Sequence, residues 1–491
     1  MSASSSHSPK EFHRDFAHQF KDRNLKVALV CDWLTVVGGA EQVLREIHQL
    51  FPHAPIYTSQ YRPKKIDWFK DAEVKTGWLN FLPAFTRRFI APLRQAYFKN
   101  LDLTRYDLVI SVSGCDAKYV KTRPGTHFCY CHVPTQYYWG KSEEYQKDPG
   151  FGPLNIIVRP IFKLLLPRLR KNDLEAAARP DFYITISDFA KTEIKKYYKR
   201  EAEIIFPPVN TEKFSEVAEY KNIRQGNCQI IEQHKNKKSQ ISQKPHKTIK
   251  TTKSQIEQNI YHATKLNKNQ IELVENSSNS NSNEDQYFIN FSRQVGWKRL
   301  DLAIHACIES KQPLVLIGDG PEHQKLLQLS KTHPELITLH STLPQSELKE
   351  YLKNAKAFIF PSEEPFGIAP VEALAAGCPV IAFNKGGAKD YIKDGKNGLF
   401  FESQTVNSLV SAIKKFNHLS YKTENLEDRS NKKTVSQEYI SHSSLLSPLE
   451  ISKTAEKFSR LHFKEQLEDY LARTISATEV QFQQKHTNQE R

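Results

Sequence analysis

The chain has 491 residues, of which 39% are hydrophobic and 25% charged, enough for two or three domains and a large core in an ordinary globular composition. Its formal charge of +15 is uneven: between Lys221 and Gln270 eleven Lys/Arg face two Asp/Glu, so the excess describes one segment and not the folded domains. Seven scattered cysteines exclude a disulfide scaffold and point to a reducing compartment, no apolar core of signal-peptide length opens the chain, and the run Ile156 to Leu169 is too short and too charged to span a bilayer.

After an N-terminal tail (1–24), Lys26 to Trp33 predicts a buried strand. A helix carrying Val43, Leu44, Ile47 and Leu50 at helical spacing follows, with Gly38-Gly39 at the turn between them. Such a turn lets backbone approach a phosphate, or is simply tight. No GxGxxG fingerprint accompanies it, which disfavours a dinucleotide site. Trp78 to Leu101 mixes Phe81, Phe85, Phe89 and Tyr97 with Arg87, Arg88, Arg94 and Lys99. This basic-aromatic helix suits an anionic membrane surface or packing on its own domain.

Asp107 to Val112, His127 to Cys131, Phe182 to Ile186 and Ile204 to Phe206 read as further strands of one sheet, with a helix over Asp173 to Ala178. Cys129 and Cys131 alternate with apolar residues, as buried strand cysteines do, and a metal role for them is disfavoured. His132 falls at the carboxyl end of its strand, where open α/β sheets collect ligands, so it is either structural or functional. Pro207-Pro208 closes this first doubly wound domain (25–217).

Residues 218–285 turn to Lys, Gln, Asn, Ser and Thr, too poor in apolar residues for a core, and predict a flexible basic insertion. A second β/α domain (286–418) begins at the strand Tyr287 to Ser292. Arg293 and Lys298 flank the turn after it, placed to clamp a diphosphate or to make structural ion pairs. Further strands are expected at Pro313 to Ile317 and Ile337 to His340. Ala357 to Phe360 and Pro379 to Phe383 then bracket a helix from Ile368 to Gly377. Glu364 and Glu372 flank that helix's entry, and the backbone N–H groups of Gly367 and Ile368 would favour an anion there. Beyond a polar linker (419–445), residues 446–478 predict one or two surface-packed helices before a frayed tail (479–491).

Several of these segments form a recognisable set. Glu364 to Glu372 has the E-x7-E pattern, and with SRQVGWKRLDLAI, LVLIGDGPE, KDGKNGLFF, GGAEQVL, HFCYCHVPTQYYW and FPPVNTEKF it resembles the retaining GT-B glycosyltransferases of family 4, with their mannosyltransferase-like members. The resemblance implies two Rossmann-like domains facing a cleft, an acceptor in the first and a nucleotide-diphosphate sugar in the second, with no metal or other cofactor. It assigns Arg293 and Lys298 to the diphosphate, Glu372 to the ribose and Glu364 to the donor sugar. Gly367 and Ile368 would supply backbone N–H groups, Gly39 would approach the leaving phosphate, and His132 would face the reaction centre. Glu364 and His132 are thus the catalytic candidates, Glu364 not as a covalent nucleophile. Asp390 stands where the family usually has Glu.

The expectation is a cytoplasmic hexosyltransferase moving mannose from a nucleotide sugar to a polysaccharide or lipid-linked glycan, with peripheral contact to an anionic membrane. A nucleotide-sugar epimerase of the same fold and a basic nucleic-acid-binding protein are the alternatives, nucleic acid being the less expected partner.

Overall fold

The computed structural model describes residues 25–88, 90–148, 152–225, 286–419 and 444–489. Two parallel sheets organise them. The first has strands β1 (Val27–Cys31), β2 (Ile56–Thr58), β3 (Val74–Thr76), β4 (Leu108–Ser113), β5 (His127–Cys131), β6 (Phe182–Thr185) and β7 (Glu203–Ile204), in the order β3-β2-β1-β4-β5-β6-β7. The second has β8 (Tyr287–Phe291), β9 (Leu314–Ile317), β10 (Ile337–His340), β11 (Ala355–Phe360), β12 (Val380–Phe383) and β13 (Gly398–Phe401), in the order β10-β9-β8-β11-β12-β13. All five residues of β1 and of β5 are buried, as a parallel strand covered on both faces requires.

In each sheet the chain runs outward from a central strand and then returns to that strand's other side. The reversals lie between β1 and β4 and between β8 and β11. Loops leaving the carboxyl ends of such a pair diverge to opposite faces and open a crevice, the usual ligand position in this architecture.

The helices that frame the crevices are α1 (Gly39–Leu50), α2 (Ala91–Asn100), α3 (Asn155–Ala177), α4 (Asp188–Tyr198), α5 (Ile368–Ala375), α6 (Pro448–Ala455) and α7 (Arg460–Gln489). The chain's last part ties the two domains together. Ser452 of α6 donates from Oγ to the Ala375 carbonyl at 2.7 Å, whereas α7 reaches the first domain, where Arg460 and Lys464 lie 3.4 and 2.9 Å from the buried Glu46 of α1. Phe458, between α6 and α7, packs edge-on against Phe206 of the first domain and beside Phe366 of the second.

Three expectations need correction. Trp78 to Leu101 is not one helix: short 3-10 turns at Trp78–Phe81 and Ala84–Arg88 precede α2, because Pro83 interrupts the first and Pro92 suits only the first turn of the last. Arg94 is also not a surface charge, since it is 1% exposed and bonded from Nε to Asp116 at 2.5 Å. The helix expected over Asp173 to Ala178 is the end of the 23-residue α3, which absorbs Pro160 and Pro167.

The start of the expected insertion is also structured. Residues 215–225 are helical, and the buried Lys221 ammonium donates to the carbonyls of Leu352 and Ala355 at 3.2 and 2.5 Å, across the domain boundary. The rest of that insertion, 226–285, and most of the 419–445 linker lie outside the described residues. No helix of the described residues is long and apolar enough to cross a membrane.

Candidate active site

At the crevice of the second sheet, the loop after β8 carries Lys298 and the loop after β11 carries Glu364. Lys298 Nζ lies 2.5 Å from Glu364 Oε1, with both side chains largely buried. The same carboxylate oxygen accepts from Ser362 Oγ at 2.6 Å. Lys298 also sits 5.9 Å from the centre of the Phe360 ring. Two residues 66 positions apart in sequence thus form one charged pair at the place where the sheet reverses.

Glu364 is held by backbone as well. The Gly387 N–H donates to the Glu364 carbonyl at 2.8 Å, and a Cβ on Gly387 would lie 2.6 Å from Phe366 Cα. The Gly386-Gly387 pair therefore lets two loops touch. Gly367, the residue before α5, has φ +95, a conformation open to glycine and strained for others. A side chain there would also meet Phe360 Cζ at 2.7 Å. Tyr391 fixes this turn from below by donating its hydroxyl to the Phe366 carbonyl at 2.8 Å.

Glu372 lies one turn into α5. Burial pushes its carboxyl up to about 7, opposed by Lys213 and Arg460. Arg293 does not join the pair: it is exposed and makes no ion pair among the described residues.

The first sheet repeats the arrangement. Asp32, just after β1, accepts from the N–H groups of Gly114 and Cys115 at 2.8 and 3.0 Å with one oxygen. With the other it accepts from Asp116 and Ala117, both at 2.7 Å. Four converging donors stabilise a buried carboxylate strongly, and here they pin the loop after β4 to the loop after β1. The result is a cavity of about 270 Å³ lined by Asp32, Trp33, Gly39, Gly114, Cys115 and His132.

His132 points a polar atom into this setting without a partner, since its buried Nε2 has no hydrogen bond. Burial lowers its pKa to about 4, with Asp32 opposing. The imidazole is therefore neutral at physiological pH and able to hydrogen-bond, not to act as a standing cation.

The two crevices face each other. A Cβ on Gly39 would lie 3.1 Å from Ile368 Cδ1, so the glycine turn of α1 abuts the N-terminus of α5. Nearby, Asp390 Oδ2 accepts from the Asp188 N–H at the start of α4 at 3.2 Å. Burial pushes Asp390 up to about 6, and that bond opposes the shift.

Sequence reasoning missed the supporting network. Asp173 of α3 accepts from Lys118 Nζ at 2.7 Å and from Thr135 at 3.1 Å with one oxygen. Its other oxygen accepts from Trp139 Nε1 at 2.7 Å and Tyr198 at 2.8 Å. Arg94 meanwhile lies 5.0 Å over the Trp33 ring. These groups hold the loop that follows His132. Asp32 carried the one readable signal, an acid at the end of a buried strand.

Residues 274–433 match the sequence profile of the family described as glycosyl transferases group 1. That match takes in all six strands of the second sheet. Over 109 residues it is 33% identical to the sulfoquinovosyl transferase SQD2 of Arabidopsis thaliana, 21% of either chain. Over 124 residues it is 30% identical to the alpha-1,3/1,6-mannosyltransferase alg-2 of Neurospora crassa, 23% of this chain and 26% of that one. The chain thus spans about a quarter or less of the length of these curated relatives. Anabaena HepE, solved in complex with UDP, shares the fold over 91% of this chain and 99% of its own, with a TM-score of 0.53 and 14% identity. The two sheets are those of the GT-B glycosyltransferase fold.

Proposed function

We propose that the protein is a retaining hexosyltransferase that moves mannose from a nucleotide-diphosphate sugar to a polysaccharide or lipid-linked glycan at the cytoplasmic side of a membrane. The Lys298–Glu364 pair at the mouth of α5, facing the Gly39 turn, carries this reading. It sets a cation and an anion side by side where a sugar diphosphate has one end of each complementary character. The alg-2 relative favours mannose, and HepE with UDP favours a nucleotide at the second crevice.

In this reading the C1–O bond to the diphosphate breaks with its electron pair leaving on the phosphate oxygen. Lys298, the exposed Arg293 and the N–H groups of Gly367 and Ile368 stabilise that growing negative charge, a large effect where donors are already placed. Gly39 offers the same from the other domain. The acceptor hydroxyl adds to C1 from the face the phosphate leaves, and its proton passes to the departing phosphate oxygen. Glu364 steadies the positive charge developing on the sugar and orients its hydroxyls. The neutral His132 hydrogen-bonds the sugar, and Glu372 accepts from the ribose.

The test is a panel of GDP-, UDP- and ADP-sugars with product detection, run on wild type, Lys298→Ala and Glu364→Ala. One preferred donor, and near loss of transfer in both variants with the fold retained, is expected. Full activity in both variants would reject the site, and isomerisation of the donor without acceptor would make the protein an epimerase.

A further inference from the structure

Helix α3 has two apolar faces and only one is covered. Leu166 and Leu169 are buried against Ala91 of α2 and Tyr138. Ile156, Ile157, Ile161 and Leu164 on the same helix are 82%, 61%, 50% and 80% exposed. Single exposed leucines are normal on a protein surface, but a contiguous set on one helix end is not.

Within this stretch of the helix the charges have one sign, and the acid ahead of it, Asp148, accepts from Asn155 Nδ2 at the helix start at 2.8 Å. Arg159, Lys163 and Arg168 are exposed and take part in no ion pair among the described residues. No acidic residue occurs between Asp148 and Asp173. An interface with a second protein copy would place these like charges close together and cost stability, whereas anionic headgroups complement them. Phe81 and Phe85 are also exposed, in the turns ahead of α2, whose Ala91 packs with Leu166 and Leu169 of α3.

We propose that the N-terminal half of α3 seats the protein on an anionic lipid bilayer, the helix lying along the surface. The apolar side chains enter the headgroup–acyl boundary while the lysine and arginines remain at headgroup level. The other end of the same rigid helix carries Asp173, which holds Thr135 and Trp139 of the loop after His132. Seating α3 therefore fixes the first-domain cavity relative to the bilayer, as a lipid-linked acceptor requires. That last step rests on the transferase reading, but the bilayer contact does not.

The experiment is flotation of the full chain with vesicles of phosphatidylcholine alone or mixed with phosphatidylglycerol, read without donor or acceptor. Ile156→Ser, Ile157→Ser, Ile161→Ser and Leu164→Ser are combined in one variant, and Arg159→Gln, Lys163→Gln and Arg168→Gln in another. All seven positions are exposed, and unchanged thermal unfolding confirms folding. Wild type should float with the anionic vesicles, and each variant should partition at least about tenfold less. Equal flotation of wild type and both variants, or no flotation of wild type at low salt, would overturn the proposal. So would a lipid-free wild-type dimer that the serine variant converts to monomer, since the face would then be a self-interface.

Discussion

Replacing Glu372 by glutamine should raise the stability of the ligand-free protein at alkaline pH while weakening its hold on the nucleotide. Burial lifts the Glu372 carboxyl from an ordinary 4.5 to about 7. Between those values the folded protein keeps a proton that the unfolded chain has already lost. The group's contribution is therefore fully present below the unfolded pKa and is lost as pH rises through the folded one. At about 1.4 kcal/mol per unit, wild type should lose about 2–3 kcal/mol from this group between about pH 5 and about pH 8. Glutamine carries no charge at either pH and removes that slope. Urea denaturation of both proteins at the two pH values isolates the effect, because every other titrating group cancels in the comparison. The binding of the preferred nucleoside diphosphate should show the opposite trend, strengthening in wild type as the carboxylate forms and staying flat in the variant. Identical pH dependence of stability in the two proteins would refute the burial argument.

Gly387→Ala places a methyl group 2.6 Å from Phe366 Cα, so the Glu364 loop must move. A fall of about tenfold or more in transfer with a smaller change in donor affinity is expected from steady-state kinetics, and unchanged turnover would show that the loop yields freely. Asp173→Asn removes the counter-charge of the buried Lys118, and breaking a buried pair in this way costs about 3–5 kcal/mol. Chemical denaturation measures it directly, and a loss below about 1 kcal/mol would mean that water reaches the pair.

What could be read in the sequence follows from how local its physical cause is. The central strands are apolar runs bounded by glycine or polar loops, so Val27–Cys31, His127–Cys131 and Val380–Phe383 declare themselves. The strands Ile56–Thr58 and Val74–Thr76 are three residues each, and the latter, at the sheet edge, is not buried, so no pattern marks them. Helix α3 was hidden by Pro160 and Pro167 and by basic residues every few positions. Arg94 sits among aromatic and basic neighbours that read as surface, and its partners Asp116, Tyr137 and Trp33 are all distant in sequence. The pairing of Lys298 with Glu364 was legible as two residues in loops on one sheet edge, but its 2.5 Å closeness comes from the strand order and from nothing nearby in sequence. Arg293 shows the converse, a motif residue that folding leaves in solvent.

The strand order also explains why neither domain holds a complete site. Each reversal brings two loops together and fixes them with a carboxylate, Asp32 in one case and Glu364 in the other. The Asp32 carboxylate is spent on four backbone donors and can only build the cavity wall. Glu364 is satisfied by one ammonium and one hydroxyl, which leaves acceptor capacity on its second oxygen. The unpartnered Nε2 of His132 supplies the complementary group from the other side. A ligand that uses both must lie across the gap where the Gly39 turn comes close to the Ile368 side chain. Beside it Asp390 accepts from the Asp188 N–H with its carboxylate and from Lys457 Nζ with its carbonyl, both at 3.2 Å. The aromatic cluster around Phe458 and the Glu46 ion pairs of α7 join the domains as well, and Phe366 brings that cluster within two residues of Glu364.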